Sequence, residues 1–244
     1  MSDKRTLFVV TDVHGHYTLL RQALEQAGYD RHDPQHLLVC CGDYFDRGTE
    51  NFQVLKYLER VENKVLLRGN HEDLLLEVFR TGTMQPHNFL NGTVETIVEF
   101  FGKYALDGDT GDVDFSGKTR MLERVTEFIE STGDYYETDG YVFTHGWLPT
   151  QPTQEGCRID PRWRQASPEM WKKARWTRWP DMYLSCDRLP DKTIVCGHIP
   201  TTRAAAFDST RPEGSTAIFR GQGMIAVDAG TAMSGQLNVL VIEE

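Results

Sequence analysis

The chain has 244 residues, 39% hydrophobic and 25% charged, an ordinary globular composition long enough to bury a sizeable core. A formal net charge of -10 and a pI near 5.3 argue against a non-specific nucleic-acid or anionic-membrane binder. No apolar run approaches the ~20 residues of a membrane span. Met1 to Arg5 lead straight into a strand-like run without the long apolar region of a signal peptide, so a cytoplasmic location is expected. The five cysteines, Cys40, Cys41, Cys157, Cys186 and Cys196, are odd in number and form no C-x-x-C. Reduced, mostly buried thiols are expected, with Cys157–Cys186 the one pairing left open.

The first half alternates strand and helix signals. Leu7 to Thr11 reads as a strand. Tyr17 to Ala27 carries Leu19, Leu20, Ala23, Leu24 and Ala27 at helical spacing, with Gly28 suited to its stop. Leu37 to Cys41 is a second strand, and Phe52, Val54, Leu55 and Leu58 mark a second helix. Val65 to Leu67 is a third strand, and Leu74, Leu75, Val78 and Phe79 begin a third helix. This order predicts a largely parallel sheet with crossover helices. From Gly82 to Asp139 helical patterns dominate, around Val94 to Phe101 and Met121 to Ile129, separated by the Asp- and Gly-rich loop Asp107 to Lys118. This stretch reads as a helical insertion over the sheet within one domain. Tyr141 to Phe143, Thr193 to Cys196, Met224 to Val227 and Leu237 to Ile242 return to strand signals and suit a second sheet.

Five polar clusters each follow an apolar, strand-like run. They are Asp12 and His14; Asp43, Asp46 and Arg47; Arg68, Asn70 and His71; His145; and His198. In open α/β folds ligands bind beyond the carboxyl ends of strands, so clusters placed this way can converge. Carboxylate, imidazole and amide without thiolate suit a catalytic site for a divalent metal such as manganese, iron or zinc. Taken singly, a histidine after a strand is more often a core residue and Asn70 a turn residue. The argument rests on their combination.

The order D-x-H-G, G-D-x-x-D-R-G, G-N-H-E resembles the signature of the phosphoprotein phosphatases within the calcineurin-like metallophosphoesterase superfamily, and most resembles its small bacterial and phage members. Asn91-Gly92, His145-Gly146, Gly197-His198 and Val227-Asp228-Ala229-Gly230 extend the likeness over nearly the whole chain. Two departures stand out. Thr11 replaces a usual Gly, tolerable if its φ stays negative, and Trp147 replaces a small residue, where an indole is expected to shape the mouth of the site.

The resemblance implies an α/β fold of two sheets packed as a sandwich, flanked by helices, with the insertion at about 82–139. It implies two divalent metal ions, manganese first, one held by Asp12 and His14 and one by Asn70, His145 and His198, with Asp43 bridging. A water activated between the ions then attacks phosphorus in line, without a phosphoenzyme. His71 is the implied general acid, oriented by Asp46. Arg47 clamps the phosphoryl oxygens, joined by Arg178 of Trp176-Thr177-Arg178, with Arg68 a weaker choice. Glu72 is expected to support the site rather than bind metal. The implied activity is hydrolysis of phosphoserine and phosphothreonine, with phosphotyrosine also admitted, on a phosphoprotein or a small phosphoester. The alternative is a symmetric bis(5'-nucleosyl)-tetraphosphate hydrolase, a family that tends to differ at Asp46 and Glu72. A nucleic-acid phosphodiesterase ranks third. The segment Arg158 to Trp179 interleaves seven Arg or Lys residues with four Trp. It could track a nucleic-acid strand, but in an acidic chain it reads better as tryptophans packed on a sheet.

Overall fold

A computed structural model describes residues 4–154 and 156–244. Strands β1 (Thr6–Val10), β2 (His36–Cys40) and β3 (Lys64–Leu66) alternate with helices α1 (Tyr17–Gln26), α2 (Asn51–Arg60) and α3 (Asn70–Thr81). Three further helices follow, α4 (Pro86–Leu90), α5 (Thr93–Phe101) and α6 (Thr119–Glu130). Then come β4 (Tyr135–Glu137), β5 (Tyr141–Thr144), the hairpin β6 (Thr150–Thr153) and β7 (Gly156–Ile159), and helices α7 (Pro168–Arg175) and α8 (Trp179–Ser185). The chain closes with β8 (Thr193–Cys196), β9 (Phe219–Gly221), β10 (Met224–Ala226), the short α9 (Thr231–Ser234) and β11 (Leu240–Glu243).

One sheet has the order β11-β1-β2-β3 and the other β4-β5-β8-β10-β9. The central strands run parallel, and β11, β4 and β9 pair antiparallel at edges. Alternate side chains explain the layering. Leu7, Val9, Leu37 and Val39 face Phe143, Val195 and Ile225 between the sheets. Phe8, Val10, Leu38 and Cys40 face the other way, under α1, α2, α3, α5 and α6. Val142, Ile194, Cys196 and Met224 face α7 and α8 with Trp147, Trp163, Trp171 and Trp179. Both faces of each sheet are covered, which is why these strands read as unbroken apolar runs.

The βαβαβ order appears as expected, and the insertion's helices share a core with the first sheet. Gly28 follows α1 with φ 83°. One expectation fails: the last strand joins the first sheet, pairing with β1 from Thr6↔Glu243 to Val9↔Leu240. Leu240 and Ile242 are buried between the sheets while Val241 is exposed, the alternation of a strand with one apolar face. Nothing in that pattern tells which sheet edge it completes. The five cysteines are free thiols; Cys157 and Cys186 lie across an isolated bridge without a bond between them.

Candidate metal centre

The five polar clusters, Arg68 excepted, meet at the carboxyl ends of β1, β2, β3, β5 and β8. Six non-glycine residues among those described have positive φ: Asp12 (52°), His14 (47°), Asp43 (54°), Asp46 (71°), Arg47 (69°) and His198 (66°). Every one is a predicted site residue. Left-handed backbone is disfavoured for such side chains and persists only where the surroundings enforce it. Thr11 keeps a negative φ, so its departure from glycine is accommodated. Enforcement comes from close backbone contacts and from Glu72. At Gly42 a Cβ would stand 2.5 Å from the Gly69 nitrogen, so the loops after β2 and β3 touch directly. The Glu72 carboxylate accepts from the backbone N–H groups of Asp43 (2.9 Å), Tyr44 (2.9 Å) and Gly69 (2.8 Å). It therefore ties the Asp43 loop to the start of α3.

Asp43 lies at the centre. Its Oδ2 is 3.6 Å from His14 Nε2 and 3.9 Å from His71 Nε2, and its Oδ1 is 3.5 Å from His145 Nε2. Asp12 Oδ1 lies 3.9 Å from His14 Nε2. Asp12 Oδ2 accepts from Thr11 Oγ1 and from the His198 N–H at 2.9 Å. Two groups of potential ligands share Asp43, one with His14 and His71 and one with His145 and His198; within each group the ligand atoms lie within 4.8 Å of one another. Burial opposes ionisation of Asp43, yet the surrounding imidazoles, His145 and His71 first, hold its carboxyl below the usual range. Burial, then the charge on His71, lowers the His14 pKa, and burial, then His145, pulls His198 down to about 3. Both imidazoles are therefore neutral near pH 7, the state a metal requires.

The donor set fits a cation. His14 Nδ1 bonds the Phe45 carbonyl at 3.0 Å and His145 Nδ1 the Cys41 carbonyl at 2.7 Å. The neutral His14 ring then presents its Nε2 lone pair inward, and His145 turns its Nε2 the same way. His145 Nε2 lies 2.9 Å from the Asn70 Oδ1. An imidazole nitrogen, an amide oxygen and the Asp43 carboxylate gathered in one buried place are the donor types a divalent cation takes. The Arg47 guanidinium already supplies positive charge here, with NH1 2.9 Å from His14 Nε2 and NH2 3.1 Å from His71 Nε2. One lone pair serves one partner, so a metal on His14 competes with that arginine contact.

His71 Nδ1 lies 2.7 Å from Asp46 Oδ2. Burial works against its imidazolium form, but Asp43 and the bonded Asp46 outweigh it and raise the pKa to about 9. Asp46 is fixed from the insertion: Thr96 Oγ1 donates to its Oδ1 (2.6 Å), Thr93 Oγ1 donates to its Oδ2 (3.0 Å), and its own N–H donates to Thr96 Oγ1 (2.9 Å). Sequence reading missed these threonines, although the matched Asn91-Gly92 just before them marked the place. The Gly92 carbonyl also accepts from the Arg47 N–H at 3.0 Å.

Two expectations, for Arg68 and Trp147, are corrected. Arg68 points away from the cluster, donating to the Ile129 carbonyl (3.0 Å) and to Thr132 Oγ1 (3.2 Å), because it ties β3 to the end of α6. Arg178 is exposed, 3.8 Å from Asp181, on the segment that follows α7. Trp147 does not shape the mouth; it is fully buried in the core beneath the second sheet. Its backbone N–H donates to the Ala174 carbonyl at 3.0 Å, and its indole packs in the cluster of Trp163, Trp171 and Trp179. The indole that does reach the site is Trp176, whose ring centre lies 6.1 Å from that of His198.

Fold and site together define a metallophosphoesterase-type chain, and it belongs to the calcineurin-like phosphoesterase family, whose sequence model matches residues 5–221. Over 78 residues it is 40% identical to serine/threonine-protein phosphatase 2 of Escherichia coli, covering 32% of this chain and 34% of that protein. Over 86 residues it is 35% identical to the symmetrical bis(5'-nucleosyl)-tetraphosphatase of Proteus mirabilis, covering 34% and 31%. The match thus spans about a third of the length of these relatives. Among solved structures, a cold-active protein-tyrosine phosphatase of a Shewanella species superposes with TM-score 0.54 over 97% of this chain and 75% of that one. At 16% identity this likeness speaks for the fold alone.

Proposed function

We propose that this chain is a dinuclear-metal phosphomonoesterase acting on phosphoserine and phosphothreonine proteins, with phosphotyrosine also accepted. The Asp46–His71 pair carries the proposal: an imidazole fixed by its own carboxylate partner, with its other nitrogen 3.9 Å from Asp43, the carboxylate common to both groups of potential ligands. Asp12, His14 and Asp43 would hold one ion, and Asp43, Asn70, His145 and His198 the other, with manganese favoured over iron or zinc. Bound there, the ions would polarise the phosphoryl oxygens and acidify water. Arg47 binds the phosphoryl oxygens and offsets the charge that grows on them. His71 delivers its Nε2 proton to the departing ester oxygen, because its Nδ1 is committed to Asp46. No side chain here acts as nucleophile, so no phosphoenzyme forms. The insertion and the sandwich are one domain on this proposal, since they share a core, and five free thiols suit the cytoplasm.

The test is hydrolysis with manganese, comparing phosphoserine and phosphothreonine peptides with diadenosine tetraphosphate. Phosphate release from the peptides with the dinucleotide left intact supports the proposal. Conversion of the dinucleotide to two adenosine diphosphates, with inert peptides, overturns it in favour of the tetraphosphatase.

A further inference from the structure

Four of the five tryptophans are core residues: Trp147 and Trp179 are 0% exposed, Trp163 and Trp171 2%. Trp176 is 42% exposed. It stands nearly perpendicular to the His198 ring, at 82°, with ring centres 6.1 Å apart. An exposed indole is ordinary on a loose loop, but this one is clamped. The carbonyls of Ala174, Arg175 and Thr177 converge on Gly146, where a Cβ would meet them at 2.5, 2.6 and 2.8 Å. The Trp147 N–H donates to the Ala174 carbonyl at 3.0 Å. On the other flank, buried Arg175 bonds Asp73 at 2.7 Å and Asp134 at 2.6 Å. The turn bearing Trp176 is therefore fixed to the residue after His145 and to α3. A held aromatic surface facing solvent beside the reacting centre is unspent contact area.

We propose that Trp176 is a specificity-determining residue that packs against the aromatic ring of an aryl phosphomonoester, the phenol ring of phosphotyrosine in a protein substrate. The inference rests on the phosphomonoesterase assignment above and goes beyond it by naming a side chain that selects the leaving group. Distance decides the chemistry. Because Trp176 abuts a residue of the cluster itself, whatever it touches must begin at the ester oxygen. In phosphotyrosine the ring begins there. In a nucleotide a ribose intervenes before the base, and in phosphoserine a single methylene leads to the peptide backbone. Arg178, two residues on and exposed, lies 3.8 Å from Asp181.

The experiment compares wild type, Trp176→Ala and Trp176→Phe on two peptides of one sequence, carrying phosphotyrosine or phosphoserine, with manganese content measured for each protein. The quantity read is the ratio of kcat/KM for the two peptides. Trp176→Ala is expected to lower that ratio about 5- to 20-fold, and Trp176→Phe to restore it to within roughly 3-fold of wild type. An unchanged ratio, or an equal fall on both peptides with loss of manganese, overturns the proposal and leaves Trp176 as a shield over His198. A second arm needs no turnover: a phenyl phosphonate should quench tryptophan emission saturably in wild type and not in Trp176→Phe. If wild type hydrolyses neither peptide, the phosphomonoesterase assignment falls, and the quenching arm still decides the aryl contact. Quenching by adenosine diphosphate but not by the phenyl phosphonate overturns it in favour of a base-binding surface.

Discussion

Glu72→Gln removes one charge and one acceptor atom from a fully buried carboxylate that receives three backbone N–H groups. Burial pushes this carboxyl up to about 7, and those three donors stabilise its ionised form. A glutamine can aim its one oxygen at the Asp43 and Gly69 donors. Its NH2 then meets the Tyr44 N–H, donor against donor. One orphaned buried donor costs about 1–3 kcal/mol, and weakening two charge-assisted bonds adds to that. The expected loss is about 2–4 kcal/mol, or roughly 5–15 °C in Tm for a chain of this size. Urea unfolding followed by circular dichroism measures it, and metal titration should show weaker binding, because the Asp43 loop is released from α3. A variant within 0.5 kcal/mol of wild type would refute the assignment of Glu72 as the tie between the two loops.

Asp46→Asn should lower turnover on the order of 10- to 100-fold by freeing the His71 ring, while manganese content stays at the wild-type value; parallel loss of metal would contradict the positioning role. Gly197→Ala places a Cβ 2.3 Å from Asp12 Oδ2, so it should expel or tilt that carboxylate and cut metal affinity, read by calorimetric titration. Arg175→Met strands Asp73, which is 9% exposed, and should cost about 3 kcal/mol in urea unfolding, less than a wholly buried pair because Asp134 is 40% exposed. Hydrogen bonding from Arg164, and then Lys192, lowers the Glu137 pKa to about 2 from its ordinary 4.5. Its contribution to stability is therefore complete above pH 4.5 and lost as pH falls toward 2. Glu137→Gln should show a shallower loss of Tm across that window, and an identical profile would count against the pairing.

The strand ends and the ligand cluster were legible in the sequence because each depends on a short local pattern, an apolar run followed by a polar pair. The Asp46–His71 bond was expected only through the family resemblance of D-R-G and N-H-E. What escaped was set by distant contacts. Arg68 sits beside Asn70 in the chain, yet the end of α6, some sixty residues on, claims its guanidinium. Trp147 and Trp176 look interchangeable as letters. Packing beneath the second sheet buries one, and the clamp at Gly146 leaves the other at the site. Leu240 and Ile242 announce a strand, but the free edge beside β1 exists only once the sheet is assembled.

The six positive-φ residues put the site at odds with thermal robustness. At each, glycine would adopt the observed backbone without steric cost, but would lack the side chain that the proposed chemistry uses. Directed evolution for heat tolerance alone, with no selection on turnover, would therefore tend to erode Asp12, His14, Asp43, Arg47 and His198 before it touched the cores. Stabilisation is better sought far from these turns, on exposed positions such as Leu184 or Tyr104, where nothing in the chemistry resists the change.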